Sequence, residues 1–158
     1  MDEAIKKQAL RLFTYGLYAV TTGTLDNVGI FTANWLGQVS FEPPLVAISV
    51  ENDSYSLPLI QRTRRFAVNV LDAGQRELAG ALGKPHSHVP QKAEGHALAA
   101  GHTGCPLLTE GLASVECAVE GQLAAGDSTI VLGRVVNAVV YREGEPLTMR
   151  AAGFKHAG

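Results

Sequence analysis

The chain has 158 residues, 46% of them hydrophobic and 18% charged, with a formal net charge of −2 and a pI near 6.2. A chain of this length buries about 70% of the surface it exposes when unfolded, so residues 1–158 read as a single domain that needs no staple. The slightly acidic balance excludes a general attraction to nucleic acid or anionic membranes, and no stretch approaches the ~20 apolar residues of a spanning helix.

Residues Glu3 to Thr14 predict a short amphipathic helix, with Ile5, Ala9, Leu12 and Phe13 near one face and Lys6, Lys7 and Arg11 pointing away. "GLYAVTTGTLDNVGIFTAN" predicts a hairpin. Tyr18, Val20 and Thr22 alternate on its first arm, Asp26-Asn27 supplies the turn, and Gly29 to Ala33 starts the return. Next comes a polar interruption that holds the only tryptophan, Trp35, treated as a loop before Pro43-Pro44. "LVAISVEN" has the β-branched content of a buried strand. "SYSLPLIQRT" predicts a helix capped by Ser54 or Ser56, with Pro58 tolerated in the first turn.

"RRFAVNVLD" follows as a strand and "QRELAGALG" as a helix closed by Gly83. Lys84 to Gly104, rich in His, Pro, Gly and Ala, reads as a mobile loop long enough to form a lid or an interface arm. From Leu112 onward, two long strands are expected around the Gly126-Asp127 turn, with Val115, Cys117 and Val119 alternating against Glu116 and Glu120. Short strands, turn signals and small helices together describe a mainly β chain of barrel type with helical insertions.

Several chemistries lack local support, because the chain has no G-x-G-x-x-G after a strand, no Walker A, no H-E-x-x-H and no G-x-S-x-G. His86 and His88, with His96 and His102 beyond, lie in the Pro- and Gly-containing loop and read as solvated rather than as metal ligands. Cys105 and Cys117 are not a CxxC pair and read as small apolar residues. With no leader pattern at the N-terminus, a reducing cytoplasm is the expected compartment.

Trp35 stands among Asn34, Gln38 and Ser40, so a flat aromatic is surrounded by neutral hydrogen-bonding groups that suit an isoalloxazine ring and its pyrimidine edge. Further on, Asn52, Ser54 and Ser56 stand where a helix starts, and free N–H groups there attract a phosphate. Together they point to a mononucleotide, although a packing role for Trp35 and a capping role for the serines stay open. Arg62, Arg64 and Arg65 have two readings: they answer the negative end of the preceding helix, or one of them faces a phosphate.

The segments "TANWLGQVSFEPPLVAISVEN", "RRFAVNVLD", "SVECAVEGQLAAGDSTIVLGRVVNAVV" and "GEPLTMRAAGF", in that order, make the chain resemble the flavin reductase-like, FMN-binding split-barrel family. Its short members, flavoredoxins and the flavin domains of high-molecular-weight rubredoxins, are the most similar. The resemblance implies a six-stranded split β-barrel with short helices, a homodimer, and FMN held near the subunit boundary.

It also implies that Thr32, Asn34, Trp35, Gln38, Val39 and Ser40 line the flavin ring and ribityl chain. Asn52, Ser54 and Ser56 fall on the family's phosphate positions, Lys92 matches a basic residue of the long loop, and Phe154 falls where an aromatic lies near the cofactor. Many members carry Gly-Asp-His at the last hairpin, where this chain has Gly126-Asp127-Ser128. Ser128 offers a hydroxyl in place of an imidazole.

The implied activity is transfer of hydride from NADH or NADPH to flavin N5, and of electrons onward to free flavin or a redox partner protein. The alternatives are an FMN electron carrier that binds no nicotinamide and a non-catalytic flavin-binding module. No catalytic side chain is assigned.

Overall fold

The computed structural model describes residues 1–155. In chain order the elements are α1 (Glu3–Leu10), β1 (Tyr18–Thr24), β2 (Asn27–Ala33), β3 (Leu36–Ser40), β4 (Leu45–Glu51), α2 (Ser56–Thr63), β5 (Arg65–Val70) and α3 (Arg76–Leu82). They are followed by β6 (Leu98–Ala100), β7 (Pro106–Leu108), β8 (Ala113–Ala125), β9 (Ser128–Val140) and α4 (Met149–Ala152). Seven strands form one sheet in the order β2-β1-β5-β8-β9-β4-β3, and β6 and β7 form a separate pair.

The order of the strands dictates the shape of the sheet. Its two edge strands, β2 and β3, are consecutive in sequence and joined only by Asn34 and Trp35. Six strand spacings of about 4.8 Å would separate the edges of a flat sheet by roughly 29 Å, whereas the three Cα steps from Ala33 to Leu36 reach about 11 Å at most. The sheet therefore curls. Side chains from both ends meet as a result: Ala33 of β2, Val20 of β1, and Val46, Ile48 and Val50 of β4 share one core with Phe66, Cys117 and Val131.

Leu57 and Ile60 of α2 close that core. Neighbouring residues point to the opposite face, as strand geometry requires. Ala19, next to Val20, packs with Leu17, Ile30, Leu82, Leu108 and Leu147 in a second core under α3 and α4. Gly133 is required where the ring of Phe66 crosses β9, since a Cβ there would lie 2.6 Å from the ring.

The structure corrects several expectations. In place of six barrel strands there is a seven-stranded sheet whose edges are not paired to each other. The added strand is β3, where the sequence predicts a loop because Gly37, Gln38 and Ser40 break any apolar alternation. It is an edge strand with no buried residue, irregular in register between Gln38 and Ser40, and an edge needs little apolar content.

The first helix stops at Leu10 rather than Thr14. Asp2 caps its start through Ala4 N and Ile5 N at 2.8 and 3.2 Å, but none of its residues is buried, so no packing extends it. The first hairpin turns at Leu25-Asp26, with Asn27 already paired to Thr24. The segment Lys84 to Gly104, expected as pure loop, contains β6, and β6 pairs with β7 just beyond it. The Gly126-Asp127 turn lies where it was expected, with Gly126 at φ 68° between the paired residues Ala125 and Ser128.

Two buried polar knots hold the sheet to its coverings. Asn69 of β5, fully buried, donates to Ala19 O at 2.9 Å and Thr21 Oγ1 at 3.0 Å, and accepts from Leu108 N at 2.9 Å and Ser114 Oγ at 2.7 Å. Glu116 of β8, also fully buried, accepts from His102 N, from Thr103 N and Oγ1, and from Asn137 Nδ2 at 2.6–3.0 Å. Burial alone would raise its pKa. The donors from Thr103, Asn137 and His102 outweigh burial and hold the carboxyl below its ordinary 4.5.

Candidate functional site

A cleft of about 870 Å³ opens where the β2–β3 link, the ends of β4 and β9, the start of α2, the C-terminal end of α3 and the segment around α4 converge. The link exists because β2 must cross to the far edge of the sheet within two residues, and that crossing turns Asn34 and Trp35 toward the cleft. Trp35 is 39% exposed, and its carbonyl accepts from Ser49 N at 2.9 Å, which ties the link to β4. Among the described residues, Asn34 Nδ2 is buried and finds no hydrogen-bond partner. A buried donor left unpaired costs about 1–3 kcal/mol, and Asn34 lines the cleft.

Thr32 also lines the cleft, its hydroxyl donating to Ala79 O of α3 at 2.5 Å. At the far end stand Ser54, Tyr55 and Ser56. Ser54 Oγ accepts from Leu57 N at 3.2 Å and so caps α2, and Ser56 is buried in the first turn of α2. The positive end of the α2 dipole thus faces the cleft, next to Lys84 and Lys92.

Lys92 Nζ donates to Leu82 O and Lys84 O, both at 2.7 Å, which closes the end of α3; burial pushes its pKa down. Ser128 is buried, and its hydroxyl bonds Asp127 Oδ1 at 3.1 Å. Phe154 lies under the Arg76 guanidinium, 5.1 Å from the ring centre, and Arg76 Nε donates to Ala152 O at 2.5 Å.

The structure thus brings Thr32, Asn34, Trp35, Ser54, Ser56, Lys92, Ser128 and Phe154 around one cleft. It sets the other four apart. Gln38, Val39 and Ser40 lie on β3 outside the cleft lining, with Gln38 Nε2 folded back on Ser40 O at 3.1 Å and Val39 58% exposed. Asn52 lies in an adjoining groove with Glu51, Asp53 and Asp127. Its amide is spent on the last hairpin, donating to Gly126 O at 3.2 Å and accepting from Thr129 Oγ1 at 2.8 Å.

Sequence reasoning missed Tyr55, Lys84, His86 and Met149 as cleft residues. The position of Tyr55 between two singled-out serines was the available signal; His86 and Met149 had none. Arg64 closes α2 in the left-handed conformation, φ 57°, with its N–H on Ile60 O and Nη2 on Val119 O. Arg65 reaches Thr103 O. Neither arginine lines the cleft. Cys105 and Cys117 are buried free thiols whose pKa is pushed up to about 12, chiefly by burial, which makes them inert packing groups.

Comparison with known proteins adds a lineage to this geometry. Residues 10–158 match the profile of the flavin reductase like domain. A probable flavin reductase of Rhizobium meliloti is 29% identical over 160 residues, covering 96% of this chain and 50% of its own length. An NADH-dependent FMN reductase of Streptomyces nodosus subsp. asukaensis is 32% identical over 132 residues, covering 82% of this chain and 70% of its own.

Among solved structures, the NADH:FAD oxidoreductase of Streptomyces globisporus in complex with NAD and FAD fragments superposes with a TM-score of 0.84. It is 30% identical, over 100% of this chain and 96% of that one. The chain spans about half the length of the Rhizobium relative.

Proposed function

Since the chain belongs to the flavin reductase like domain family, we propose that it is an FMN-binding oxidoreductase that moves electrons from NADH or NADPH to free flavin or to a redox partner protein. The observation that carries this reading is Asn34 Nδ2, a buried donor without a partner, opening beside Trp35 into a cleft of about 870 Å³. That volume lies within the range of cofactor sites. The donor set is neutral around Trp35, and Lys84, Lys92 and the positive end of α2 stand around Ser54 and Ser56, with Glu51 and Asp53 also on the lining; the neutral groups suit a planar heterocycle with acceptor edges, and the lysines and the helix start suit a phosphate.

When bound, flavin supplies two-electron chemistry at N5 that needs no protein acid or base. The tasks left to the chain are binding, orientation and exclusion of water. Thr32, Asn34 and Trp35 would orient the ring, Ser54 and Ser56 with the α2 dipole would hold the phosphate, and Phe154 would close the floor. Gln38, Val39, Ser40 and Asn52 remain in the proposal as its outer rim. Ser128, already bonded to Asp127, would present a neutral hydroxyl to an incoming nicotinamide.

The same proposal takes the curled sheet as a split barrel, the chain as one domain, its compartment as a reducing cytoplasm and its assembly as a homodimer. The β9–β4–β3 end of the sheet supports the dimer, since Val39, Phe41, Val136 and Val140 are all exposed there.

Titration of the purified protein with FMN, followed by anaerobic mixing with NADH and with NADPH, tests the function. Saturable binding and bleaching of the visible flavin band by either nucleotide are expected; failure to bind FMN overturns the proposal. The absence of an imidazole after Gly126-Asp127 favours one second reading, an FMN electron carrier without nicotinamide binding. Bound FMN that neither nucleotide reduces, but a reduced partner protein does, would select it.

A further inference from the structure

Tyr55 and His86 form a parallel stack at the edge of the cleft, with ring centroids 3.7 Å apart and planes within 5°. At that separation the imidazole sits over the middle of the phenol ring and leaves no room for a second ring on that face. The two partners are anchored differently. Tyr55 precedes α2 directly and its hydroxyl bonds Asn27 Oδ1 at 2.5 Å. His86 belongs to the irregular stretch between α3 and β6, and among the described residues its ring makes no hydrogen bond. A fixed aromatic platform is thus covered by a side chain that, among the described residues, has the stack and no hydrogen bond to hold it.

Resting on the flavin reading above, we propose that the Tyr55–His86 stack decides between flavins by denying FAD the platform its adenine would use. Tyr55 lies between Ser54 and Ser56, the residues assigned to the phosphate. FAD differs from FMN by an adenylyl group attached at that phosphate, so its extra ring must be accommodated next to Tyr55. His86 occupies the face on which a purine would stack. FMN, which ends at the phosphate, is indifferent to the stack.

Dissociation constants for FMN and FAD, read from the change in flavin fluorescence on binding, test this in four proteins. The native chain is expected to prefer FMN. His86→Ala should tighten FAD by at least about five-fold, the effect of one weak base–aromatic stack, and leave FMN unchanged. His86→Phe, which keeps a ring on Tyr55, should retain the native preference. Tyr55→Leu in the His86→Ala background should abolish the gain.

An unchanged FMN-to-FAD ratio in His86→Ala, or equal loss of both flavins, overturns the inference while the flavin reading stands. Binding of neither flavin by the native chain removes both.

Discussion

Asn69 and Asn34 are the same residue put to opposite uses. Asn69, in the middle of the sheet, uses its amide in both directions and is saturated by Ala19, Thr21, Leu108 and Ser114. Asn34, at the point where the sheet crosses from one edge to the other, keeps a buried Nδ2 with no partner among the described residues. Saturation distinguishes them: a buried amide with every partner in place holds the fold together, and one with an open donor costs stability until an acceptor reaches it.

The largest effect is expected at the saturated end. Asn69→Ala leaves Leu108 N–H and Ser114 Oγ–H without their acceptor in the core, which costs about 3 kcal/mol and lowers the melting temperature by roughly 6–12 °C. Thermal and urea unfolding measure it. A melt like that of the native chain would show that the Asn69 cluster does not hold the sheet.

Glu116→Gln sharpens the same point. An amide cannot accept from all of His102 N, Thr103 N, Thr103 Oγ1 and Asn137 Nδ2, and about 2 kcal/mol should be lost at neutral pH. The loss should depend on pH. Because the folded carboxyl titrates below its ordinary 4.5, its contribution is complete above that value and disappears as pH falls through the lower folded pKa. The stability gap between native and Glu116→Gln chains, followed by urea unfolding from pH 7 down to acid, should therefore close below about pH 4.5; a constant gap would assign the knot no charge.

At the open end of the comparison the expected effects are smaller and fall on binding. Ser54→Ala removes the bond to Leu57 N and costs about 1 kcal/mol of stability as a lost cap. Ser56→Ala has no such bond to lose. With both replaced, FMN affinity should fall several-fold, by about 1–2 kcal/mol, and riboflavin affinity should not, since only FMN carries the dianion. Equal losses would reduce the serines to caps. Trp35→Ala should weaken FMN by about 1 kcal/mol, the value of one aromatic contact; an unchanged fluorescence titration would make Trp35 a packing residue.

Strand alternation and turn residues made most of the sheet legible, from Tyr18, Val20 and Thr22 on β1 to the Gly126-Asp127 hairpin. What escaped depended on distant partners. β3 is hidden behind Gly37 and Gln38 because an edge strand needs little apolar content, and the apolar periodicity of α1 runs on to Thr14 although the helix, with none of its residues buried, ends at Leu10. The cleft was legible where chemistry clustered in sequence, at Asn34-Trp35 and Ser54–Ser56. Tyr55 and His86, on separate segments, carry no local pattern that pairs them. Gln38 and Asn52 show the converse, since residues close in sequence to the cleft turned their amides to Ser40 O and to the hairpin.

The most direct measurement is the FMN dissociation constant of Asn34→Ala beside that of the native chain, with urea unfolding of both without ligand. The substitution is expected to weaken FMN about ten-fold, the value of one well-made hydrogen bond of about 1.4 kcal/mol, while the unfolding midpoint holds or rises because an unpaired buried donor has been removed. An unaltered FMN constant, or a fall in stability like that of Asn69→Ala, would contradict the assignment of Asn34 to a ligand.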